Sequence, residues 1–393
     1  MLGGLRILEI SSFVAAPLGG MTLAQLGAEV IRVDPIGGAP DVRRWPLAPS
    51  GASLYWAGLN KGKRSITVDL RSPRGREIVG ALAADTGIVL TNARRPSHEE
   101  LAGARPDLIH LRIEGHHDGR PAVDYTVNAE TGFPLVTGPQ THTGPVNNVV
   151  PAWDIACGLY AAVGILAAER HRARTGEGRA MRVPLADVAL AMAGNLGHLG
   201  EAVVGGADRP RIGNHLYGGF ARDFATSDGG RVMLVTLTAR HFADLGAVTG
   251  LTEVFAELER LLGADFAADA DRYRHREAIA ALIEPWFAAR GLDEVAKALA
   301  GSSVLWSPYR TFTEAARAAA GNPLMAELDQ PGIGRLPVPG SPIDSVAASG
   351  AASGAGRGAA LAPALGADTD DVLAGIGLDT GEIAALRADG VVA

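Results

Sequence analysis

The chain has 393 residues, of which 47% are hydrophobic and 20% charged, with a formal net charge of −7. That length has room for two or so domains around a large core, and the composition fits a soluble globular protein. The acidic balance argues against a nucleic-acid binder, and the lone cysteine, Cys157, excludes an intrachain disulfide.

The N-terminal Met-Leu-Gly-Gly-Leu-Arg-Ile-Leu-Glu-Ile lacks the charged start and long apolar core of a signal peptide, so the cytoplasm is the expected compartment. Leu5–Ile10 reads as a buried strand, 17–27 as a helix and Glu29–Asp34 as a second strand, which together predict a parallel βαβ unit. A dinucleotide fingerprint would place Gly-x-Gly-x-x-Gly directly after the first strand. The turn is instead Ser11-Ser12-Phe13-Val14-Ala15-Ala16-Pro17, with Gly19-Gly20 inside the helix. The expectation is a Rossmann-like domain that does not bind NAD or FAD. Asn60-Lys61-Gly62-Lys63-Arg64-Ser65 leads into a strand at 66–70. Its cations suit phosphates, although a solvated basic turn has the same composition. Residues 72–84 predict an amphipathic helix and 87–91 a buried strand, followed by Asn92-Ala93-Arg94. Asn92 sits at a strand's carboxyl end, where ligands bind in open α/β sheets.

A strand at 108–113 precedes His116-His117, which lacks a third ligand at useful spacing and reads as a loop rather than a metal pair. Residues 155–168 are apolar or small throughout and predict a buried helix, too short at 14 residues to span a bilayer of about 20. Asp154 stands where this helix begins, and the helix dipole should keep it ionised and outward-facing. Cys157, inside the apolar run, reads as a core residue. A strand at 182–185 and a small-residue helix at 187–198 follow. The turn to Gly, Arg, Asn and Tyr near 205 marks a domain boundary, with Asn214 and Tyr217 as candidates to reach a site. The expected domains are therefore 1–204, large and α/β with a parallel sheet; 205–329, small and α+β; and 330–393. The last begins as an extended Pro/Gly/Ala/Ser-rich connection over 330–365, nearly featureless at 347–358, and ends in helices returning to the large domain.

From Asp154 the chain runs Asp-x-x-x-Gly, then Gly164-Ile165-Leu166-Ala167-Ala168, Arg170-His171-Arg172 and Thr175-Gly176-Glu177-Gly178. This resembles the class III CoA-transferases, as do Phe13-Val14-Ala15-Ala16-Pro17, Asn60-x-x-Lys63-Arg64-Ser65 and Asn92-Ala93-Arg94. The resemblance implies that Asp154 is the nucleophile, forming an anhydride and then an enzyme-bound CoA thioester. It implies that Val14, Ala15, Lys63, Arg64, Asn92 and Arg94 contact CoA, with Asp124, Tyr125, Asn214 and Tyr217 toward the acid. It also implies an interlocked homodimer, acyl-CoA as substrate, CoA as part of the covalent intermediate, no permanently bound cofactor or metal, and no nucleic-acid or membrane partner. Several positions depart from the family. Val14 replaces a glutamine, and Asp34-Pro35 lacks the arginine of Glu-Arg-Pro, for which Arg43 and Arg44 are substitutes or plain surface charges. Ala93 replaces an aromatic, and Asp368 a histidine. Val123-Asp124 lacks the His-Asp pair of the family's racemases, which weighs against that activity. The implied reaction is CoA transfer between the two carboxyls of one dicarboxylic acid. The alternatives are transfer between two acids and non-catalytic acyl-CoA binding.

Overall fold

The computed structural model describes residues 1–343 and 358–393. The chain sorts into two compact units, one of Met1–Thr131, Asn148–Gly200 and Ala318–Ala393, the other of Gly132–Asn147 and Glu201–Arg317. The expected division at 204 and 329 is corrected accordingly: residues 132–147 join the second unit, and 318–329 belong to the first.

The first unit is built on β1 (Arg6–Ile10), β2 (Glu29–Asp34), β3 (Arg64–Thr67), β4 (Ile88–Thr91), β5 (Ile109–Glu114) and β6 (Arg179–Pro184). They form a parallel sheet in the order β3-β2-β1-β4-β5-β6. Helices cover both faces of the sheet, as in doubly wound folds; one face of β1 and β2 is apolar, while the other buries Glu9, Arg32 and Asp34. Leu8, Ile31, Ile66 and Val89 pack with Ile78 and Leu82 in one core cluster. In chain order the helices here are α1 (Ala15–Gln25), α2 (Leu54–Leu59), α3 (Pro73–Thr86), α4 (His98–Ala102), α5 (Asp124–Glu130), α6 (Phe133–Val136, in the second unit), α7 (Ala152–Thr175) and α8 (Leu185–Asn195). Sequence punctuation sets α3: the Ser72 hydroxyl accepts from Gly75 N, and Gly87 closes the helix at φ 69°.

The central helix α7 has 24 residues and extends beyond the 14-residue apolar run to the stop at Gly176. Glu169 to Arg174 are good helix formers, and Arg172 and Arg174 complement the dipole before Gly176 ends the helix at φ 76°. With a mean hydropathy of 1.3, α7 is long and apolar enough to cross a membrane. Here it packs on α1, α8, β5 and β6, burying Cys157, Ala161, Ala162, Ile165 and Ala168.

The second unit holds an antiparallel sheet of β7 (Phe220–Ala225), β8 (Arg231–Thr236) and β9 (Leu305–Pro308). Its core is aromatic, with Phe220, Phe224, Phe242, Phe255, Phe266 and Phe287 all buried and the rings of Phe224 and Phe287 stacked at 4.7 Å. Back in the first unit, β10 (Met325–Gln330) and β11 (Gly334–Pro339) form a hairpin. The expected extended connection from 330 is therefore wrong at its start. Pro331-Gly332 reads as loop but is the hairpin turn, and a two-stranded ribbon tolerates prolines that an inner strand would not. Gln330 then exchanges two hydrogen bonds with the Ala362 backbone. Of the nearly featureless 347–358 stretch, all but Gly358 lies outside the described residues. The tail returns to the sheet through helices Thr369–Gly375 and Thr380–Ala388. The Asp368 carboxylate accepts from Ser65 N at 2.8 Å, and Val391 O accepts from Asp69 N at 2.8 Å.

Candidate active site

The strand order changes direction between β1 and β4, and ligands bind beyond the carboxyl ends of strands at such a switch point. Ser12 follows β1 and Asn92 follows β4. The Asn92 amide ties them together, accepting from Ser12 N at 3.1 Å and donating to Ser12 O at 2.8 Å. A cavity of about 620 Å³ opens there. Its walls come from the β1–α1 turn (Ser12 to Ala15), from Arg44–Pro46 with Tyr55, from Ile113–Gly115, from Ala122–Tyr125, and from Pro151 and Asp154.

Three arrangements place Asp154. First, α7 lies against α1 with no side chain between: a Cβ on Gly158 would stand 2.5 Å from Ala15 O, and one on Gly19 would stand 2.9 Å from Gly158 O. Only glycine permits this approach, which brings the start of α7 beside the start of α1. Second, Asp124 Oδ2 accepts from Trp153 N at 2.8 Å and Asp154 N at 3.1 Å, capping α7 from outside. The Trp153 indole donates to Asn128 Oδ1 at 3.0 Å, so one face of α5 grips the first turn of α7. Third, the cap leaves Asp154's own carboxylate uncommitted: among the described residues none donates a hydrogen bond to it.

Burial pushes the Asp154 carboxyl up to about 6, the Asp124 charge adds to the rise, and Arg44 opposes it. The helix dipole alone would favour the charged form, but the group is half-buried and desolvation outweighs the dipole, so its pKa rises while it stays mainly ionised at pH 7. Cys157, one turn along, is buried, and burial pushes its thiol up to about 12. It is a core residue.

The β1–α1 turn carries strain. Phe13 has φ 66°, the left-handed region that a bulky side chain rarely adopts, at a cost of about 1–3 kcal/mol. No side chain caps the start of α1 at Val14, and Pro17 supplies no N–H. The free N–H groups of the first turn therefore border the cavity that Val14 and Ala15 line.

CoA-transferase family III matches residues 2–369 of the chain. The chain belongs to CoA-transferase family III. The 2-methylfumaryl-CoA isomerase of Chloroflexus aurantiacus is 48% identical over 100% of this chain and 98% of its own length. The succinate–glutarate CoA-transferase of Agrobacterium fabrum is 30% identical, covering 70% of each chain. The crystal structure of a CaiB/BaiF family protein from Brucella suis superposes with a TM-score of 0.76 at 26% identity, over 95% of this chain and 99% of that one.

Of the residues that the family resemblance nominated, Val14, Ala15, Asn92, Asp124, Tyr125 and Asp154 meet in the one cavity. Arg94 lines an adjoining cleft of about 480 Å³ with Arg112 and Arg120, which shares Asn92, Glu114 and Gly115 with the first. Lys63 and Arg64 are corrected. Lys63 Nζ is buried and spends all three protons, on Glu9 Oε1 at 2.8 Å, Pro17 O at 2.8 Å and Asn60 Oδ1 at 2.9 Å, leaving none for a phosphate. Arg64 opens β3 and pairs with Glu29, which opens β2, at 3.0 Å. Strand polarity therefore puts it at the amino edge of the sheet, away from the carboxyl-edge cavity. Asn214 and Tyr217 belong to the second unit and are engaged within it. Asn214 hydrogen-bonds Asp223, and the Tyr217 hydroxyl donates to Glu201 beneath the Arg209 guanidinium, 3.9 Å from its ring. Neither lines the cavity on Asp154. Sequence reading missed Tyr55 and treated Arg44 as ambiguous. The available signal was an Arg-Arg-Trp-Pro string beside exposed turns, where an aromatic such as Trp45 at 79% exposure has no packing reason. Among the described residues no group of three or more His, Cys, Asp or Glu side chains is arranged to hold a metal.

Proposed function

We propose that this protein moves CoA within one unsaturated C5 dicarboxylic acid, converting mesaconyl-C1-CoA to mesaconyl-C4-CoA through a thioester on Asp154. The observation that carries the chemistry is Asp154 itself: an uncommitted carboxylate beside the uncapped start of α1, in a cavity at the switch point of the sheet. The substrate follows the full-length relative named for 2-methylfumaryl-CoA isomerisation.

Asp154 attacks the C1 thioester carbonyl, the C–S bond breaks, and CoA thiolate leaves an aspartyl–acyl anhydride. The thiolate attacks the Asp154 carbonyl, giving aspartyl-CoA thioester and free mesaconate. The C4 carboxylate of the same acid then attacks that thioester, expelling the thiolate, which attacks the C4 carbonyl of the new anhydride. Mesaconyl-C4-CoA forms and the Asp154 carboxylate returns, with no water and no redox partner consumed. The N–H groups at the start of α1 are donors for the developing oxyanions, and exclusion of water protects the anhydrides. Asn92 and Arg94 support the CoA arm, with Arg112 and Arg120 beside them for phosphates. No permanent cofactor is required. Leu159, Val163, Leu190 and Leu196, exposed on and just beyond α7 and α8, support a homodimer, interlocked as the family resemblance implies. The lone buried cysteine fits a reducing cytoplasm.

The test is to incubate the protein with mesaconyl-C1-CoA alone and follow the C4 isomer. Asp154→Ala should abolish its formation while the variant stays folded and still binds acyl-CoA; near-normal turnover removes Asp154 as nucleophile. A second reading, transfer between two acids, is favoured by the succinate–glutarate relative. It requires labelled mesaconate added to the reaction to enter the product at the rate of isomerisation, whereas internal transfer excludes it.

A further inference from the structure

The side chains lining the Asp154 cavity include three carboxylates, Glu114, Asp124 and Asp154, and one cation, Arg44. Two of the carboxylates are already occupied. Glu114 is ion-paired with Arg112 at 2.6 Å and Arg182 at 3.2 Å, and Asp124 caps α7. Arg44 is exposed, and among the described residues no carboxylate pairs with it. Its guanidinium lies over the Phe13 ring at 5.4 Å and the Tyr55 ring at 5.2 Å. Contacts with the two rings and a hydrogen bond to the Tyr55 side chain hold the guanidinium in place, and an arginine fork held in this way has further N–H groups to offer a carboxylate. The strained Phe13 backbone holds one of those rings in the turn that also starts α1. An arginine held by two rings and a tyrosine, without a carboxylate partner among the described residues, and lining the nucleophile's cavity is a prepared anion site.

Resting on the proposed internal transfer, we propose that Arg44 holds the carboxylate of the acyl group that is not reacting, and so selects dicarboxylyl-CoA and retains the free diacid between the two thioester steps. When CoA passes to Asp154, the acid is left with two negative charges in a cavity whose other ionisable walls are acidic. Arg44 is the one lining side chain that opposes its escape. Mesaconate carries its carboxyls trans across a double bond, so turning the acid end for end exchanges which carboxyl faces Asp154 and which faces Arg44. A single arginine therefore serves both half-reactions.

The experiment compares wild type, Arg44→Gln and Arg44→Lys, with crotonyl-CoA, which lacks the second carboxyl, as the monoacid control. Two quantities are measured: covalent CoA on the chain by denaturing mass spectrometry, and entry of labelled mesaconate into mesaconyl-CoA. The expectation is that wild type forms the adduct from mesaconyl-C1-CoA at least about tenfold faster than from crotonyl-CoA, the scale of a charge-assisted carboxylate contact. Arg44→Gln should lose that preference, accumulate aspartyl-CoA as the acid leaks, and admit label; Arg44→Lys should recover part of the preference. An Arg44→Gln protein that keeps the preference and still excludes label overturns the assignment of Arg44 and leaves the isomerase reading standing. A wild type that shows the preference, lost in Arg44→Gln, yet makes no C4 isomer overturns the isomerase reading and supports Arg44.

Discussion

At Asp154 two effects compete, and magnitude decides between them. A helix N-terminus stabilises a negative charge by about 0.3–1 kcal/mol at the surface, whereas one pKa unit corresponds to about 1.36 kcal/mol. Burial and the Asp124 charge together raise the group from 3.8 to about 6, more than the dipole offsets. The sign matters for activity, because only the ionised carboxylate attacks a thioester. A raised value moves the acid limb of kcat/KM upward, so activity should be half-lost near pH 6 rather than near pH 4. Asp124→Asn keeps an oxygen to accept from Trp153 N and Asp154 N but removes the neighbouring charge. Asp154 then ionises more readily, and the limb should shift to lower pH. A pH–rate profile of the two proteins checks this, and an unmoved limb would show that Asp124 does not act on Asp154 electrostatically. The place of Asp154 at a helix start was legible in the sequence, but on helix pattern alone it reads as an N-cap, and its nomination as nucleophile rests on the family resemblance of the whole Asp154–Gly178 string. Arg44 was not legible, because what distinguishes it from a surface charge is the pair of rings beneath it, one supplied by a turn 31 positions earlier.

Strand polarity and burial are what separate Lys63 and Arg64 from the ligand that the basic loop suggested. Beneath the β1–α1 turn lies a buried charge network. Arg32 binds Asp34 at 2.8 Å, Asp41 at 2.9 Å and Ser11 O at 3.1 Å, and stacks 4.4 Å from the Trp56 ring. Lys63 joins Glu9 to Pro17 O. Arg32 and Lys63 thus hold the two ends of the turn, Ser11 and Pro17, that carries Phe13, Val14 and Ala15. Burial depresses Lys63 to about 8, against the pull of Glu9. Lys63→Met would leave the Glu9 charge buried without its closest cation, at about 3–5 kcal/mol. The expected outcome is a large fall in melting temperature and in kcat. Glu9→Gln added to Lys63→Met should recover much of the stability. A phosphate role predicts instead a stable protein with a raised KM for acyl-CoA, so thermal unfolding beside a KM–kcat split decides the matter. Elements with simple periodicity (β1, β2, β4 and α3) were readable within a residue or two. β7, β10 and β11 were not. β7 follows a Gly/Arg/Asn-rich stretch, β10 is mostly helix-forming residues and β11 carries two prolines, and they are strands because a neighbouring strand pairs with them.

At the scale of the whole chain, the parallel sheet followed from alternating strand and helix patterns. The membership of residues 132–147 in the second unit and the hairpin at 325–339 depend on contacts distant in sequence, which no local pattern records. The remaining question at this scale is what covers the apolar residues on the outside of α7 and α8. Val163 is 63% exposed, Leu190 56% and Leu196 64%. β6 closes the sheet as an edge strand, with Arg179, Ala180 and Arg182 exposed and its other three residues only partly buried. A run of large apolar side chains beside an open strand edge is unstable in water as an isolated surface. Arg179 and Arg182 put charge on the strand edge, but none covers the helix face, since the stretch from Ile155 to Ala168 contains no ionisable side chain other than Cys157 and Tyr160. The second copy expected from the family resemblance is the occupant that fits, because a twofold contact lets one apolar face cover itself. Light scattering of the purified protein should therefore give twice the chain mass of 40.5 kDa, unchanged on dilution through the micromolar range. Val163→Glu with Leu190→Lys should yield aggregate or an inactive monomer with little recoverable activity. A wild-type protein that is monomeric and fully active under these conditions would show that the apolar face needs no second copy, and the homodimer would have to be abandoned.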